Sequence, residues 1–396
     1  MIDSATIGFI QAHIEDDPQK LLLSAQRYSQ MDVRFAALQI EARQRIKDKL
    51  PQWYAMPELI LPSSVACQQA SSKVTARYKE RFVQDGETVI DVTGGLGVDC
   101  TAFAVKAGQV VYIEQDKQLC QTAKHNFKTL GISNIEIRDG SCTNLLPTLP
   151  PVDLIYIDPS RRNAQQKRLF ALSDCEPNVV AIKSFLLQKA HRVLVKVSPM
   201  ADIRETLRLL PETTEVHVLS VKNECKELLF LLERPSPADH VPITCTDIDR
   251  EGHETQITFT LHREATTTPL ILDKTPESYL YEPNASLLKA GAFKFLSQYY
   301  GIEKLSSHTH LYASQTLHAS FPGRIFNIIN VFEFNKQSIK TLRQSIPQAN
   351  IAVRNFCMEA EALRKRLKIK EGGDLYLFGV TLLDQRYSLI LATKEN

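Results

Sequence analysis

The sequence predicts an α/β fold with a parallel, doubly wound sheet, in a chain that carries further units on both sides. Between about residues 87 and 235, short apolar segments of strand length alternate with segments of helix length, which is typical of βαβ units. The first strand leads into a glycine-rich turn, DVTGGLGVD at 91–99, which precedes a helix pattern. Together these two observations place a crevice at the carboxyl edge of the sheet.

The composition is that of a globular protein. The chain has 396 residues, 43% of them hydrophobic and 23% charged, with a formal net charge of +2, so we expect two to four compact units. No apolar run reaches the roughly 18 residues that cross a bilayer, and the first residues do not resemble a secretory signal. The eight cysteines are scattered singly. We therefore expect a cytoplasmic protein with reduced thiols, without a metal site or a membrane span.

Residues 1–78 predict an N-terminal helical domain. The segment LLLSAQRYSQMDVRFAALQIEARQRIKDKL has apolar residues at helical spacing and no internal glycine or proline.

Residues 79–235 predict the α/β domain. Its seven strand candidates are TVIDVTG, QVVYIEQD, IEIRDG, VDLIYIDPS, RVLVKVSP, TEVHVLSV and ELLFLLER. Helix-length segments separate the first five. Only VKNECK separates the last two, which predicts a hairpin whose antiparallel strand closes one edge of the sheet.

The remainder predicts two smaller units. RPSPADHVP, with three prolines, reads as a linker. The β-rich segment that follows it, within 236–275, is too small to fold alone. An α+β unit then covers 276–396.

The glycine turn is compatible with several ligands. The triphosphate-loop pattern is absent because no GK[ST] follows. The dinucleotide pattern GxGxxG is also absent, given the spacing of Gly94, Gly95 and Gly97, which argues against the competing class, an NAD-dependent oxidoreductase. A pocket for a phosphate-free nucleoside and a plain tight turn both remain. The next strand ends at Glu114, which can accept both ribose hydroxyls, and the third ends at Asp139, which can accept from an adenine amino group. This ordered set favours a nucleoside pocket.

The motifs DVTGGLGVD, YIEQD, RDG and IDPSRR, in this order and spacing, resemble the class I S-adenosylmethionine-dependent methyltransferases. The whole chain is similar to a narrower bacterial group, whose tail carries runs like EPNASLLKAG, IAVRNF and LRKRLKIKEGGD. The resemblance implies a Rossmann-like methyltransferase core at 79–235, a small ferredoxin-like insert at 236–275 and a THUMP-like domain at 276–396.

The resemblance also implies site residues. S-Adenosylmethionine would contact Asp91, Thr93, Gly94, Gly95, Gly97, Asp99, Glu114, Gln115, Asp139, Gly140 and Asp158. Catalysis would fall to Asp158, Pro159, Ser160 and Arg161. Amino-methylating relatives carry [DN]-P-P-[YF] at this fourth motif, so Ser160 and Arg161 depart from the pattern.

Several cations are candidates for substrate binding. Arg161 and Arg162 could stack on a base or clamp a phosphate, or form a surface pair. Lys196, at the end of the fifth strand, could orient the substrate or only pair with Asp158. The segment RKRLKIK contributes Arg364, Lys365, Arg366, Lys368 and Lys370. Helical spacing would place Arg364 and Lys368 on one face of the helix, and Arg366 and Lys370 on another. The alternative is a solvated helix end.

The favoured function is methylation of a base in structured RNA, either rRNA or tRNA, with an exocyclic amine as the acceptor. THUMP domains in tRNA-modifying enzymes bind RNA, and the basic segment suits phosphates. Two other functions remain open. One is a protein or small-molecule methyltransferase, and the other is a non-catalytic RNA-binding protein that retains the cofactor fold.

Overall fold

The computed structural model describes residues 2–161, 172–234 and 240–395, and the chain forms two compact units. The first unit comprises Met1–Glu215 and Lys226–Ala238. The second comprises Val216–Cys225 and Asp239–Asn396.

The first unit begins with helices α1 (Ser4–Ala12), α2 (Pro18–Leu23), α3 (Val33–Ile46), α4 (Pro51–Tyr54), α5 (Ser64–Gln69) and α6 (Lys73–Lys79). It continues through β1 (Thr88–Asp91), α7 (Val98–Phe103), β2 (Gln109–Glu114), α8 (Lys117–Thr129), β3 (Ile135–Asp139), α9 (Cys142–Leu145) and β4 (Val152–Ile157). Two short strands follow, β5 (Ser160–Arg161) and β6 (Cys175–Glu176), and then α10 (Val179–Lys189), β7 (Ala190–Val197) and α11 (Ile203–Leu209). Strands β8 (Thr213–Val221) and β9 (Glu224–Glu233) end the predicted α/β region.

The N-terminal helices share a core with the glycine turn. Aspartates at positions 3, 17 and 32 cap α1, α2 and α3 by accepting from backbone N–H groups of the first turn. Ile46, Leu50 and Trp53 then pack in one buried cluster with Leu96 and Val98, from the turn and α7. The predicted helical domain 1–78 and the α/β region therefore belong to the same compact unit.

The sheet of the first unit confirms the predicted parallel order. Its strands run β9–β7–β4–β1–β2–β3. The five from β7 to β3 pair in parallel, and β9 pairs antiparallel with β7. All four residues of β1 are buried or half-buried, which is typical of a strand covered on both faces. The carboxyl ends of β1, β2, β3 and β4 consequently meet at one edge.

The predicted end of the sheet needs a correction. Both residues of the turn between β8 and β9, Lys222 and Asn223, have positive φ, as a tight two-residue turn requires. However, β8 is not an edge strand, because its residues Val216–Val221 pair in parallel with β10 (Pro242–Ile248) in the second unit. Five of the seven residues of β10 are buried.

The second unit continues with β11 (Glu254–Thr260), α12 (Leu261–Thr266), β12 (Tyr279–Pro283), α13 (Ala285–Ala290), α14 (Phe293–Tyr300), β13 (Glu303–Lys304) and β14 (Tyr312–Ser314). It ends with β15 (Gly323–Glu333), α15 (Lys336–Ser345), β16 (Asn350–Arg354), α16 (Ala360–Leu367), β17 (Leu375–Thr381) and β18 (Tyr387–Lys394). Seven of these strands form a sheet in the order β13–β14–β12–β15–β18–β17–β16. Leu342 and Leu363, from α15 and α16, pack on its Leu377 and Leu389.

Within the described residues, no helix is both long and apolar enough to cross a membrane.

Candidate functional site

The glycine turn after β1 is shaped by the strand beside it. A Cβ atom on Gly94 would lie 2.3 Å from the Tyr112 ring, and one on Gly97 would lie 2.7 Å from Phe127. Gly97 also has a φ of +83°, which favours glycine. The Tyr112 hydroxyl donates to the Gly95 carbonyl at 2.7 Å. Packing against β2 and α8 therefore requires glycine at positions 94 and 97. This requirement is separate from any need for a ligand to approach the backbone of the turn closely.

The turn borders a cleft of about 1260 Å³ at the carboxyl edge of the sheet. Most of the positions singled out from the sequence line it: Asp91, Thr93, Gly94, Gly95, Gly97, Asp99, Glu114, Gln115, Gly140, Asp158, Pro159, Ser160 and Lys196. The structure thus brings the ends of five strands together, β1, β2, β3, β4 and β7, as the parallel order predicts.

Glu114 is fixed in this cleft from both sides. One of its carboxylate oxygens accepts from the Gly95 N–H at 3.0 Å, and the other accepts from the Asp116 N–H at 2.9 Å. Asp116 has a separate structural role, because its side chain caps α8 through the N–H groups of Gln118 and Leu119. Each Glu114 oxygen keeps a further lone pair, so the carboxylate can still accept two hydroxyls.

Asp139, which the sequence analysis assigned to the adenine amino group, stays a prediction. Its position at the end of β3 is exposed, and it is not among the described residues that line the cleft. The chain turns at Gly140, whose N–H donates to the Glu114 carbonyl at 2.9 Å. The wall at this point is formed instead by Gly140, Ser141, Cys142 and Thr143.

Asp91 lies buried beneath the turn. It accepts from the Thr93 N–H at 2.9 Å and from the Cys100 thiol at 3.2 Å. Burial raises the pKa of Asp91 to about 7, against the lowering effect of the Thr93 N–H. A cation bound nearby would favour the ionised form.

The fourth motif follows β4 and is tied to the glycine turn. The Asp158 N–H donates to the Thr93 hydroxyl at 2.8 Å, which fixes the backbone of the motif. The Asp158 carboxylate is partly exposed and pairs with the Lys196 ammonium at 2.6 Å. For Arg161 only the backbone is described, in β5, and Arg162 lies outside the described residues.

A buried charge cluster, composed of Lys79, Asp99, Asp158, Lys196 and Glu227, lies behind the fourth motif. The Lys79 ammonium has no exposed surface and contacts Glu227 at 2.8 Å and Asp99 at 3.1 Å. Lys196 lies 3.9 Å from the second oxygen of Glu227. Alternating positive and negative groups thus run from the interior to the cleft, and each buried charge has a partner of opposite sign.

Two hydroxyls donate hydrogen bonds within this cluster. Ser71 and Tyr156 donate to the same oxygen of Asp99, at 2.7 Å and 2.9 Å. Ser71 also accepts from Lys79 at 3.2 Å. Lys79 holds the pKa of Asp99 below its ordinary value despite burial, with help from Lys196 and these two hydroxyls.

Glu227 and Lys196, two further members of the cluster, also have shifted pKa values. Burial raises the pKa of Glu227, against the lowering effect of Lys79 and Lys196. For Lys196, burial acts to lower the pKa, but the neighbouring carboxylates, Asp158 first among them, raise it above the ordinary lysine value. Lys196 is therefore an ammonium at neutral pH.

Ser71, Lys79 and Glu227 were not among the residues predicted from the sequence. Lys79 sits in KVTARYKERF, where a lysine reads as part of a solvated helix face. Glu227 gives a weak signal, because it is an acid at the start of the apolar run LLFLL.

Cys142 and His310 show no sign of activation as a nucleophile or a metal ligand. Burial raises the pKa of the Cys142 thiol, which disfavours the nucleophilic thiolate. His310 stacks on Phe293 with ring centroids 3.5 Å apart, and burial lowers its pKa to about 4. Within the described chain, the one grouping of possible metal ligands is Asp249, Glu251 and His253, all of which are exposed.

The basic segment of the second unit differs from the predicted helix. Helix α16 ends at Leu367, and Lys368 has a left-handed conformation, so the expected alignment of Arg364 with Lys368 and of Arg366 with Lys370 does not occur. The Arg364 guanidinium pairs with Glu361 and Glu371, at 2.9 Å and 3.1 Å.

The other members of this segment fall into two groups. The Arg366 guanidinium lies 4.9 Å from the centroid of the Phe334 ring. Lys365, Lys368 and Lys370 are exposed, although the first lies 3.7 Å from Glu361. Arg366 is exposed as well, whereas Arg364 is half-buried, so the lysines and Arg366 are better placed than Arg364 to meet an anionic partner.

Comparison with known proteins gives matches along the whole chain. Family models match at residues 21–195 (protein-L-isoaspartate(D-aspartate) O-methyltransferase), 279–322 (ferredoxin-like domain) and 323–394 (THUMP domain-like). The ferredoxin-like match lies beyond the β-rich segment 236–275 to which the sequence prediction assigned that unit.

A crystal structure described as a "putative methyltransferase" from Porphyromonas gingivalis W83 is 34% identical. The alignment covers 100% of both chains with a TM-score of 0.90. An uncharacterized RNA methyltransferase from Enterococcus faecalis is 28% identical over 144 residues, which is 35% of this chain and 31% of that protein. A protein-L-isoaspartate O-methyltransferase from Brucella anthropi is 25% identical over 130 residues, or 33% and 53% of the two chains. The chain thus spans about a third to a half of the length of these curated relatives.

Proposed function

The chain belongs to the S-adenosylmethionine-dependent methyltransferase family that joins a Rossmann-like core to ferredoxin-like and THUMP-like domains, and from this premise we propose that it methylates structured RNA. The proposal has two parts, the methyl donor and the acceptor.

The cleft residues fit a methyl donor of this class. Glu114 is oriented to accept from a ribose, and the Gly94–Gly97 backbone forms a wall with few side chains. Among the described lining residues the one lysine or arginine is Lys196, which pairs with Asp158 rather than facing a phosphate at the turn. A phosphate-free nucleoside suits this arrangement better than a dinucleotide.

We assign cofactor contacts to the lining residues Asp91, Thr93, Gly94, Gly95, Gly97, Asp99, Glu114, Gln115, Gly140 and Asp158. When bound, S-adenosylmethionine supplies the methyl group. The chain's own contribution is to hold the acceptor in line with it, next to Asp158, Pro159 and Ser160.

The THUMP-like match at 323–394 is the observation that carries the RNA part of the proposal. Exposed lysines at 365, 368 and 370 lie within that same match, and lysines on such a surface neutralise phosphates. The similarity to RNA methyltransferases in the core points in the same direction. The sequence favours a base amine as the acceptor, and rRNA or tRNA as the substrate.

Protein carboxyl methylation is a second candidate, because the core also matches the isoaspartate O-methyltransferase model. We favour RNA over this candidate because of the THUMP-like match at 323–394 and the exposed lysines within it.

A labelling experiment separates these candidates. The full-length protein is incubated with methyl-labelled S-adenosylmethionine and either total RNA or total protein from a strain that lacks the gene. We expect label in RNA, at a nucleoside that mass spectrometry finds missing from the deletion strain. Label in protein alone would contradict the RNA proposal.

A further inference from the structure

We propose that the acceptor is a hydroxyl oxygen, a ribose hydroxyl of the RNA, rather than the exocyclic amine favoured by the sequence. This inference rests on the proposed function and names the acceptor atom at the same site. It comes from the buried charge cluster, of which the sequence singled out Asp99, Asp158 and Lys196 but neither Lys79 nor Glu227.

The hydrogen-bonding capacity at the cleft matches a hydroxyl. One Asp158 oxygen is taken by the Lys196 ammonium at 2.6 Å, which leaves the other oxygen for one incoming donor. The ammonium has three N–H groups, and within the described chain two of them reach hydrogen-bond acceptors, Asp158 and Ser71. A hydroxyl can donate to Asp158 and accept from the third N–H at the same time.

An amine fits the same groups less well. Its nitrogen lone pair has to attack the methyl carbon, so it cannot also accept from Lys196. As the new bond forms, the nitrogen gains positive charge beside a buried ammonium, and in a site of low dielectric constant that repulsion is costly. The oxygen of a hydroxyl that gives up its proton gains negative charge instead, which the ammonium stabilises.

The charges balance in the transfer to oxygen. The hydroxyl gives its proton to the free oxygen of Asp158, and the hydroxyl oxygen forms the new bond to the methyl carbon. The electron pair of the broken carbon–sulfur bond remains on the sulfur, so one positive charge and one negative charge disappear together. Asp158 is partly exposed, so it can then release the proton to water.

The rest of the cluster keeps Lys196 charged and in place. Glu227 lies 3.9 Å from its ammonium and is itself held by Lys79 at 2.8 Å. Lys79 in turn pairs with Asp99, on α7 directly after the glycine turn. Lys196 thus has a fixed position relative to the methyl-donor wall. We place Lys196 and Asp158 in contact with the acceptor, and Lys79 and Glu227 in positioning roles.

The test locates the transferred methyl group. RNA from the deletion strain is methylated with labelled S-adenosylmethionine, digested to nucleosides and fragmented by mass spectrometry. We expect the label on the sugar fragment, together with an alkali-resistant linkage, because a methylated 2′-oxygen cannot attack its phosphate. Label on the nucleobase would overturn the hydroxyl proposal and leave RNA methylation standing. Label in no RNA would overturn the proposed function, and this inference with it.

Variants test the assigned roles. Removing a group that stabilises developing charge costs about 100- to 1000-fold in kcat, so Lys196→Met should show a loss of this size. Its affinity for S-adenosylhomocysteine, measured by calorimetry, should stay near that of the unaltered protein, which also shows that the site is folded. Lys196→Arg keeps the charge and should recover part of the rate. Lys124→Met, on the exposed side of α8, is the matched control and should leave kcat unchanged. An unchanged kcat in Lys196→Met would overturn the role of this lysine.

Discussion

Glu114 accepts two backbone N–H groups before any ligand is present, so its carboxylate does not have to be ordered when a ribose binds. Fixed charged acceptors of this kind contribute strongly to binding. Glu114 lines the cleft. Asp139, which the sequence also proposed as a cofactor contact, is not among the described residues that line it.

We therefore expect Glu114→Ala to weaken S-adenosylmethionine and S-adenosylhomocysteine binding by about 10- to 100-fold, since hydrogen bonds to charged groups contribute about 1.5–3 kcal/mol. Asp139→Ala, the matched control, should change either affinity by no more than about threefold, or about 0.7 kcal/mol. Calorimetry with both ligands measures this. Equal losses in the two variants would show that both acids hold the cofactor, and no loss in Glu114→Ala would refute its assignment.

Asp91 should make the stability of the first unit depend on pH. Its pKa in the folded chain is about 7 because of burial, well above the value of about 3.9 in an unfolded chain. Folded chains therefore bind its proton more tightly, and the resulting stabilisation is complete below about pH 4 and lost as the pH rises to about 7.

Asp91→Asn removes this contribution while keeping a side-chain acceptor for Thr93. Denaturant unfolding between pH 4 and pH 8 should show a free energy of unfolding that falls less with rising pH in the variant than in the unaltered chain. Glu227 stays in both proteins, so the difference isolates Asp91. Identical slopes would mean that Asp91 is ionised in the folded chain throughout this range.

At the scale of the element, the basic segment 364–370 splits by structure rather than by spacing. Arg364 is half-buried and pairs with two acids, and Arg366 lies over an aromatic ring, although Arg366 is exposed like the three lysines. Alanine at 365, 368 and 370 together should weaken RNA binding at low salt. It should also flatten the plot of log affinity against log salt by roughly 0.7–0.9 for each phosphate that the protein no longer neutralises.

Binding measured from low to moderate salt tests this prediction. The comparison is a chain with alanine at 364 and 366. Its free energy of unfolding should fall, whereas the salt dependence of its RNA affinity should change less than in the triple lysine variant. If the triple lysine variant keeps both affinity and slope, the segment is only a solvated surface.

Elements were more predictable than their contacts. The seven predicted strands, the parallel order of five of them and the glycine turn follow from apolar runs and helix-length spacers, which are local signals. The end of α16 was missed because a lysine at 368 takes a left-handed conformation that glycine usually supplies. The contact between Lys79 and Glu227 joins residues 148 positions apart, and the sequence around either residue does not predict it.

On the scale of the whole molecule, Trp53 reports on one unit alone. It is the single tryptophan of the chain and is buried with Leu96 and Val98, next to the glycine turn. S-Adenosylhomocysteine at about 100 times its Kd should therefore raise the free energy of unfolding followed by Trp53 fluorescence by about 2.7 kcal/mol. Glu114→Ala should reduce that increase to about 0.4–1.4 kcal/mol at the same ligand concentration, given its 10- to 100-fold weaker binding. A Trp53 transition that the ligand does not move would argue against binding in this unit.

The buried charge cluster also restricts how this protein can change over generations. Replacing Lys79 removes the nearest cation from both Asp99 and Glu227 in the interior, and breaking a buried pair in this way typically costs about 3–5 kcal/mol, a large part of the total stability of a domain. A change at Lys79 alone is therefore strongly disfavoured, whereas exposed arginines and lysines of the surface can be replaced one at a time. We expect positions 79, 99 and 227 to change together between related chains.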